Sequence, residues 1–262
     1  MPQRSLTKRI HTIGQFVDWV DEVSFRFQDE SGYMQTWFRG CGSTAHRLVP
    51  GLYRTTEGQD PWADGELSAE FSRRALPLAR ETPPRTDWEW YFLAQHFRAP
   101  TRLLDWTDGG LVALYFALTA NRDGEEPCVW ALNPFELNVR NKDVSFEGAV
   151  TAESEYADAW LPRPFRRRRL PRFPVAIDPQ FASARMMVQR SHFTLHGSDT
   201  RGIEQMNGLR LGESLIRVII DFSERTRGHY LWHLAACGIT QSTLFPDLEG
   251  LTRELRQEYG LE

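Results

Sequence analysis

Lysine is the scarcest charged residue in this chain: Lys8 and Lys142 are the only two among 262 residues. Almost all of the 31 basic side chains are therefore arginines. That bias reads either as repeated two-pronged recognition of anions or as plain codon usage. Cysteine is rare and odd in number, at Cys41, Cys128 and Cys237. Three thiols far apart along the chain make neither a disulfide framework nor a metal-ligand spacing, and they fit a reducing compartment. No apolar run approaches the ~20 residues needed to cross a bilayer. The opening MPQRSLTKRI has no signal-peptide core, so the expected location is the cytoplasm. A formal net charge of −4 offers no global attraction to nucleic acid or to an anionic membrane, and no internal repeat is present.

What remains is ordinary globular material, 41% hydrophobic and 25% charged, enough to bury a sizeable core. Apolar residues at Ile13, Phe16, Val17, Val20, Val23 and Phe27 recur at helical spacing and predict an N-terminal helix. After a turn at Ser31-Gly32, Tyr33–Arg39 reads as an aromatic strand that Gly40 ends. Helices are expected over Glu66–Arg80, over Asp87–Phe97 with Asp87 as N-cap, and over the uncharged Leu111–Ala120. Cys128–Leu132, Phe193–His196 and Leu215–Asp221 carry strand patterns, and Glu224–Cys237 and Leu248–Tyr259 carry helical ones. Strands and helices do not alternate strictly. The expected fold class is α+β, a mixed or antiparallel sheet core with flanking helices. The expected organisation is a helical segment over 1–30, one domain over 31–255 with a variable insertion at about 136–174, and a tail over 256–262.

Two polar motifs stand out. In Trp37-Phe38-Arg39-Gly40, a guanidinium at a strand end can grip a carboxylate or phosphate through parallel hydrogen bonds, and Gly40 lets the backbone pass close to a ligand. An arginine tied to a structural carboxylate fits the same residues. Leu93–Thr107 places Gln95, His96, Thr101, Arg102, Asp105 and Thr107 among apolar neighbours. Buried polar groups are costly unless each is bonded, so that density implies a connected network or a ligand pocket. A local Arg102–Asp105 pair pinning a loop is the simpler alternative. The two motifs are expected to meet at one site.

Phe38-Arg39-Gly40, the stretch Leu48–Arg54, and Ala94-Gln95-His96 through Pro100–Thr107 together closely resemble the FRG domain family, as do Gln189–Gly197 and Leu244–Gly250. The resemblance spans roughly residues 30–255, and its long central motif is specific where the tripeptide is not. Arg98 departs from it, since glycine is expected there. The family does not by itself name a reaction.

The order of polar residues is also similar to that of ADP-ribosyltransferases, which implies such a fold and NAD as substrate, with no metal. That resemblance makes Arg39 the early phosphate anchor, Ser191 and Thr194 a polar middle strand, and Asp247 with Glu249 the late carboxylates. A carboxylate beside the nicotinamide–ribose bond would stabilise the oxocarbenium charge that develops on cleavage. Asp247 and Glu249 fit equally well as capping residues of the last helix, and Ser191 and Thr194 as plain strand residues. Two other readings share the same side chains. One is a phosphodiester-acting enzyme with His96 as base and Arg39 and Arg102 as clamps; the other is a non-catalytic module for a nucleotide or other anionic ligand. The run Arg166, Arg167, Arg168 and Arg169 is either a solvated basic loop or a contact for an acidic protein or RNA.

Overall fold

The structure is a computed structural model that describes residues 8–32, 35–54, 60, 63–79, 83–122, 124–144, 150–151, 154–162, 170–179 and 184–261. Tyr33, Arg80 and the run Arg166–Arg169 lie outside the described residues.

The described strands are β1 (Lys8–Ile10), β2 (Trp37–Cys41), β3 (Leu103–Thr107), β4 (Cys128–Leu132), β5 (Val150–Thr151), β6 (Val175–Asp178), β7 (Ser191–Leu195) and β8 (Leu215–Ile220). The helices are α1 (Ile13–Arg26), α2 (Ala63–Ala75), α3 (Asp87–His96), α4 (Gly110–Thr119), α5 (Pro134–Arg140), α6 (Ala184–Val188), α7 (Glu224–Ala236), α8 (Gln241–Leu244) and α9 (Leu248–Glu258). The strands form one mixed sheet in the order β1-β8-β4-β2-β3-β7-β6-β5. The β1–β8 and β5–β6 pairs are parallel and the others antiparallel. The fold is α+β.

The centre of the sheet is its weak seam. β2 pairs with β4 at five positions and β3 with β7 at five, yet β2 meets β3 only at Phe38 opposite Thr107. The sheet therefore parts into two halves beyond that one contact. Helices cover one face: α1, α4 and α7 pack on the first half through Phe16, Trp19, Ala113, Leu118 and Leu234. α3 packs on the second half through Trp88, Tyr91 and Phe92. The other face is closed by an aromatic-rich cluster that includes Trp37, Leu104, Trp106 and Trp130. Each large apolar side chain fully buried here contributes about 1.5–3 kcal/mol.

Several local expectations are corrected. Gly40 does not end β2; it pairs with Val129 and the strand runs on to Cys41. A Cβ at Gly40 would overlap the carbonyl oxygen of Ala113 and stand 2.5 Å from the amide nitrogen of Ala117. Close approach at this glycine thus serves helix α4. Thr86, not Asp87, caps α3, because its extended backbone lets its hydroxyl accept from the Glu89 amide at 3.2 Å. α2 begins at Ala63 and ends at Ala75, displaced from the expected span. Cys41 and Cys128, distant along the chain, face each other across β2 and β4 as free thiols.

Candidate functional site

A cavity of about 590 Å³ opens where the two half-sheets part. Alternation along β3 turns Leu103, Asp105 and Thr107 toward it, and register with β7 adds Ser191 opposite Thr107 and Phe193 opposite Asp105. From β2, Phe38 and Gly40 line the α4 side, while Arg39, on the opposite strand face, enters from beneath the seam. The end of α3 gives Phe92, Gln95 and His96; the following turn gives Arg98 and Pro100; α6 and the next turn give Arg185, Met186 and Gln189. Gly51 and Arg54 complete the Arg39 side.

One hydrogen-bonded chain ties the lips together. The Leu103 amide donates to Thr101 Oγ1 at 3.1 Å, and that hydroxyl donates to Gln95 Oε1 at 2.5 Å. Gln95 Nε2 donates to Asp105 Oδ2 at 3.0 Å. Arg39 Nη1 donates across the seam to the Asp105 carbonyl oxygen at 2.5 Å and lies 4.0 Å from its carboxylate. Asp105 is thereby oriented while 58% of its side chain stays exposed, so it remains open to a ligand.

The electrostatics are one-sided. Among the described residues no carboxylate lies within ion-pair distance of Arg54, Arg98 or Arg185. Burial and then the neighbouring Arg39 lower the pKa of Arg54; burial and then Arg98 lower that of Arg185, although Asp105, Asp247 and Glu249 oppose the shift. Arg185 also lies over the Phe245 ring at 4.4 Å. Burial, followed by the charge of Arg185, holds His96 below the usual imidazole range against the pull of Asp247. His96 is therefore neutral at neutral pH. Cations that depress one another in a partly dry hollow are poised to gain free energy from an anion.

The structure brings Arg39, Gly40, Gln95, His96, Asp105, Thr107 and Ser191 to this cavity. It does not bring the other expected residues there. Arg102 is 1% exposed and pairs with Asp64, equally buried, at 2.7 Å, so it neither lines the cavity nor makes the local Asp105 pair that was the alternative. It donates also to the carbonyls of His196 at 2.6 Å and Trp160 at 2.5 Å. Thr194 lies three residues from Ser191 on one strand and so faces the other side, where it accepts from Trp106 Nε1 at 3.0 Å. Asp247 is the N-cap of α9 and accepts from the Gly250 amide at 2.7 Å. Glu249 is 74% exposed and pairs with Arg253. Arg54, Arg98, Arg185 and Gln189 join the site without having been expected. Arg98 had a signal: it sits where the family resemblance calls for glycine, and its φ is 63°, the left-handed conformation glycine favours.

Fold and cavity define an α+β protein with a cationic hollow in the seam of a split mixed sheet. Residues 34–126 match the family model of the FRG domain, so the chain carries an FRG domain over that stretch. The matched stretch includes β2, α3, β3 and α4, hence both lips of the seam. Comparison with curated proteins and with solved structures gives no match.

Proposed function

We propose that the cavity binds a nucleotide, its phosphates held by Arg39, Arg54, Arg98 and Arg185 and its rings set against the aromatic lining. The observation that carries this is the imbalance of the lining: four guanidiniums share a hollow with one carboxylate, Asp105, beside the rings of Phe38, Phe92, Phe116 and Phe193. Arginine forks match phosphate oxygens in pairs, and rings accept a base or nicotinamide by stacking. NAD, with two phosphates and two ring systems, is the first ligand to test. If the bound dinucleotide is cleaved at the nicotinamide–ribose bond, Asp105 is the carboxylate available to the developing charge, since Glu249 is engaged with Arg253.

Calorimetry with NAD, ADP-ribose and ATP tests the reading, with Arg39→Ala and Arg185→Ala as partners. The expected result is binding by the wild type that weakens in both variants and falls with salt. No heat with any of the three would reject it. Assay of nicotinamide release, with Asp105→Asn alongside, separates binding from turnover.

A second reading rests on His96, which lines the cavity, is held neutral and makes no side-chain hydrogen bond among the described residues. A neutral imidazole among arginines suits removal of a proton from water beside a phosphodiester. Hydrolysis of a generic phosphodiester that is lost in His96→Ala but with binding retained would favour this reading.

A further inference from the structure

A second constellation lies on α7, away from the cavity lining. Tyr230 and Leu234 bury the inner side of this helix in the core beside α4. With that side fixed, His229 and His233, four residues apart, share an outer face. Their Nε2 atoms lie 3.0 Å apart, with the rings perpendicular and their centroids separated by 4.3 Å. At this spacing one Nε2–H donates to the lone pair of the other, and with both rings protonated on Nδ1 instead, two Nε2 lone pairs are available side by side at one point of the surface.

We propose that His229 and His233 form a two-histidine chelate for a first-row divalent transition ion, with Cu²⁺ and Ni²⁺ favoured over Zn²⁺. Metal–imidazole bonds run about 2.0–2.1 Å, so nitrogens at this spacing subtend roughly 95° at the ion. That is close to the cis angle of tetragonal and octahedral ions. A tetrahedral zinc angle would need the nitrogens about 3.3–3.4 Å apart at the same bond length. Imidazole suits these metals, and affinity for nitrogen sites peaks at copper. Two histidines one helical turn apart are the chelating pair of helical zinc motifs, so the spacing is sound for metal on a single helix. Core packing of α7 sets the backbone beforehand, and binding orders only two side chains. Among the described residues no third His, Cys, Asp or Glu completes the group. The remaining coordination positions belong to water or to a donor on another molecule.

Titration of the untagged full chain with Cu²⁺, Ni²⁺ and Zn²⁺ in a non-chelating buffer tests the assignment. One ion per chain is expected, tightest for Cu²⁺, and the bound copper should show two imidazole nitrogens by electron paramagnetic resonance. His229→Ala and His233→Gln should each lose that site while keeping the wild-type circular dichroism. His46→Ala, at an exposed histidine elsewhere, should keep it. The proposal is overturned if the wild type binds no ion, if either α7 variant retains the two-nitrogen signature, or if Zn²⁺ binds more tightly than Cu²⁺. None of these results bears on the nucleotide reading, because neither histidine lines the cavity.

Discussion

Replacing Arg102 by methionine should remove part of the stability margin and leave the cavity's own groups untouched. The side chain is almost fully buried, and its guanidinium meets Asp64 at 2.7 Å and two carbonyl oxygens at 2.6 and 2.5 Å. Asp64 in turn accepts from Tyr91 Oη at 2.7 Å, and that phenol accepts from the Arg102 amide at 2.9 Å. Methionine fills much of the volume but strands the Asp64 carboxylate in the interior. Breaking a buried pair by removing one partner costs about 3–5 kcal/mol. At roughly 2–4 °C per kcal/mol for a chain near this size, the melting temperature should fall by about 6–20 °C. Urea unfolding followed by circular dichroism measures the loss. Removing both charges, with Asp64→Leu added, should cost less than the two single changes summed, by about 0.5–3 kcal/mol of coupling. A single variant within about 1 kcal/mol of wild type would refute the argument. Loss of nucleotide binding at unchanged stability would go further and return Arg102 to the ligand.

Gly40→Ala should destabilise by roughly 1–3 kcal/mol or more in the same urea assay, since its methyl group runs into the α4 backbone; a neutral result would mean α4 can retreat from β2. Arg98→Gly relieves a left-handed arginine, worth roughly 1–2 kcal/mol. Part of that is offset by about 0.4–1 kcal/mol of added unfolded-state freedom. Stability should therefore hold or rise slightly while nucleotide affinity drops, and a clear loss of stability would contradict the strain. His196 is buried, its ring nitrogens make no hydrogen bond among the described residues, and burial, then Arg102, lowers its pKa to about 3. The unfolded chain takes a proton below about pH 6.5 that the fold refuses, so His196 costs stability as pH falls from there, by up to about 1.4 kcal/mol per unit. His192 acts oppositely: although burial opposes it, Asp108 and Asp178 raise its pKa, and its stabilisation is lost as pH rises through that raised value. His196→Phe should flatten the acid limb of the urea midpoint between about pH 6.5 and 4, and an unchanged slope would refute the assignment. Of the three cysteines, Cys237 alone is exposed, so Ellman's reagent should find one fast thiol in the native protein and three after unfolding; a second fast thiol would show that Cys41 or Cys128 is open.

Elements with strong local signals are legible in the amino-acid sequence. Cys128–Leu132 is a strand over the expected residues, and α7 stops one residue short of the expected end, with Gly238 at φ 79° just beyond. The misses have non-local causes. β1 is three residues long and exists because Ile10 pairs with Ile220, far along the chain. Arg102 and Asp105 invite a local pair. Yet Asp105 sits inside β3 facing the cavity, whereas Arg102 precedes the strand and turns inward to a carboxylate 38 residues earlier. Spacing alone sets Thr194 apart from Ser191, because residues three apart on a strand face opposite sides. Arg185 carried no pattern and Arg54 only its place in the family-like stretch Leu48–Arg54, since a rim arginine is defined by what the fold places across from it.

The family motif divides its work along the seam. Gly40 holds α4 against one half-sheet, and Arg102 locks the approach to β3 through Asp64 and the carbonyls of His196 and Trp160. Their neighbours Arg39 and Asp105 then stand on opposite lips, joined directly by one hydrogen bond to a backbone oxygen and by an ion-pair contact at its outer limit of 4.0 Å. With a single β2–β3 pairing at Phe38 and Thr107, the ladder supplies little there to resist small separations of the halves. A ligand bridging Arg39 and Arg54 on one side to Arg98 and Arg185 on the other would relieve cation repulsion and supply cohesion that the missing ladder bonds do not. On the proposed function, the break in the sheet and the excess of guanidinium charge would be answered together by an anion seated between the halves.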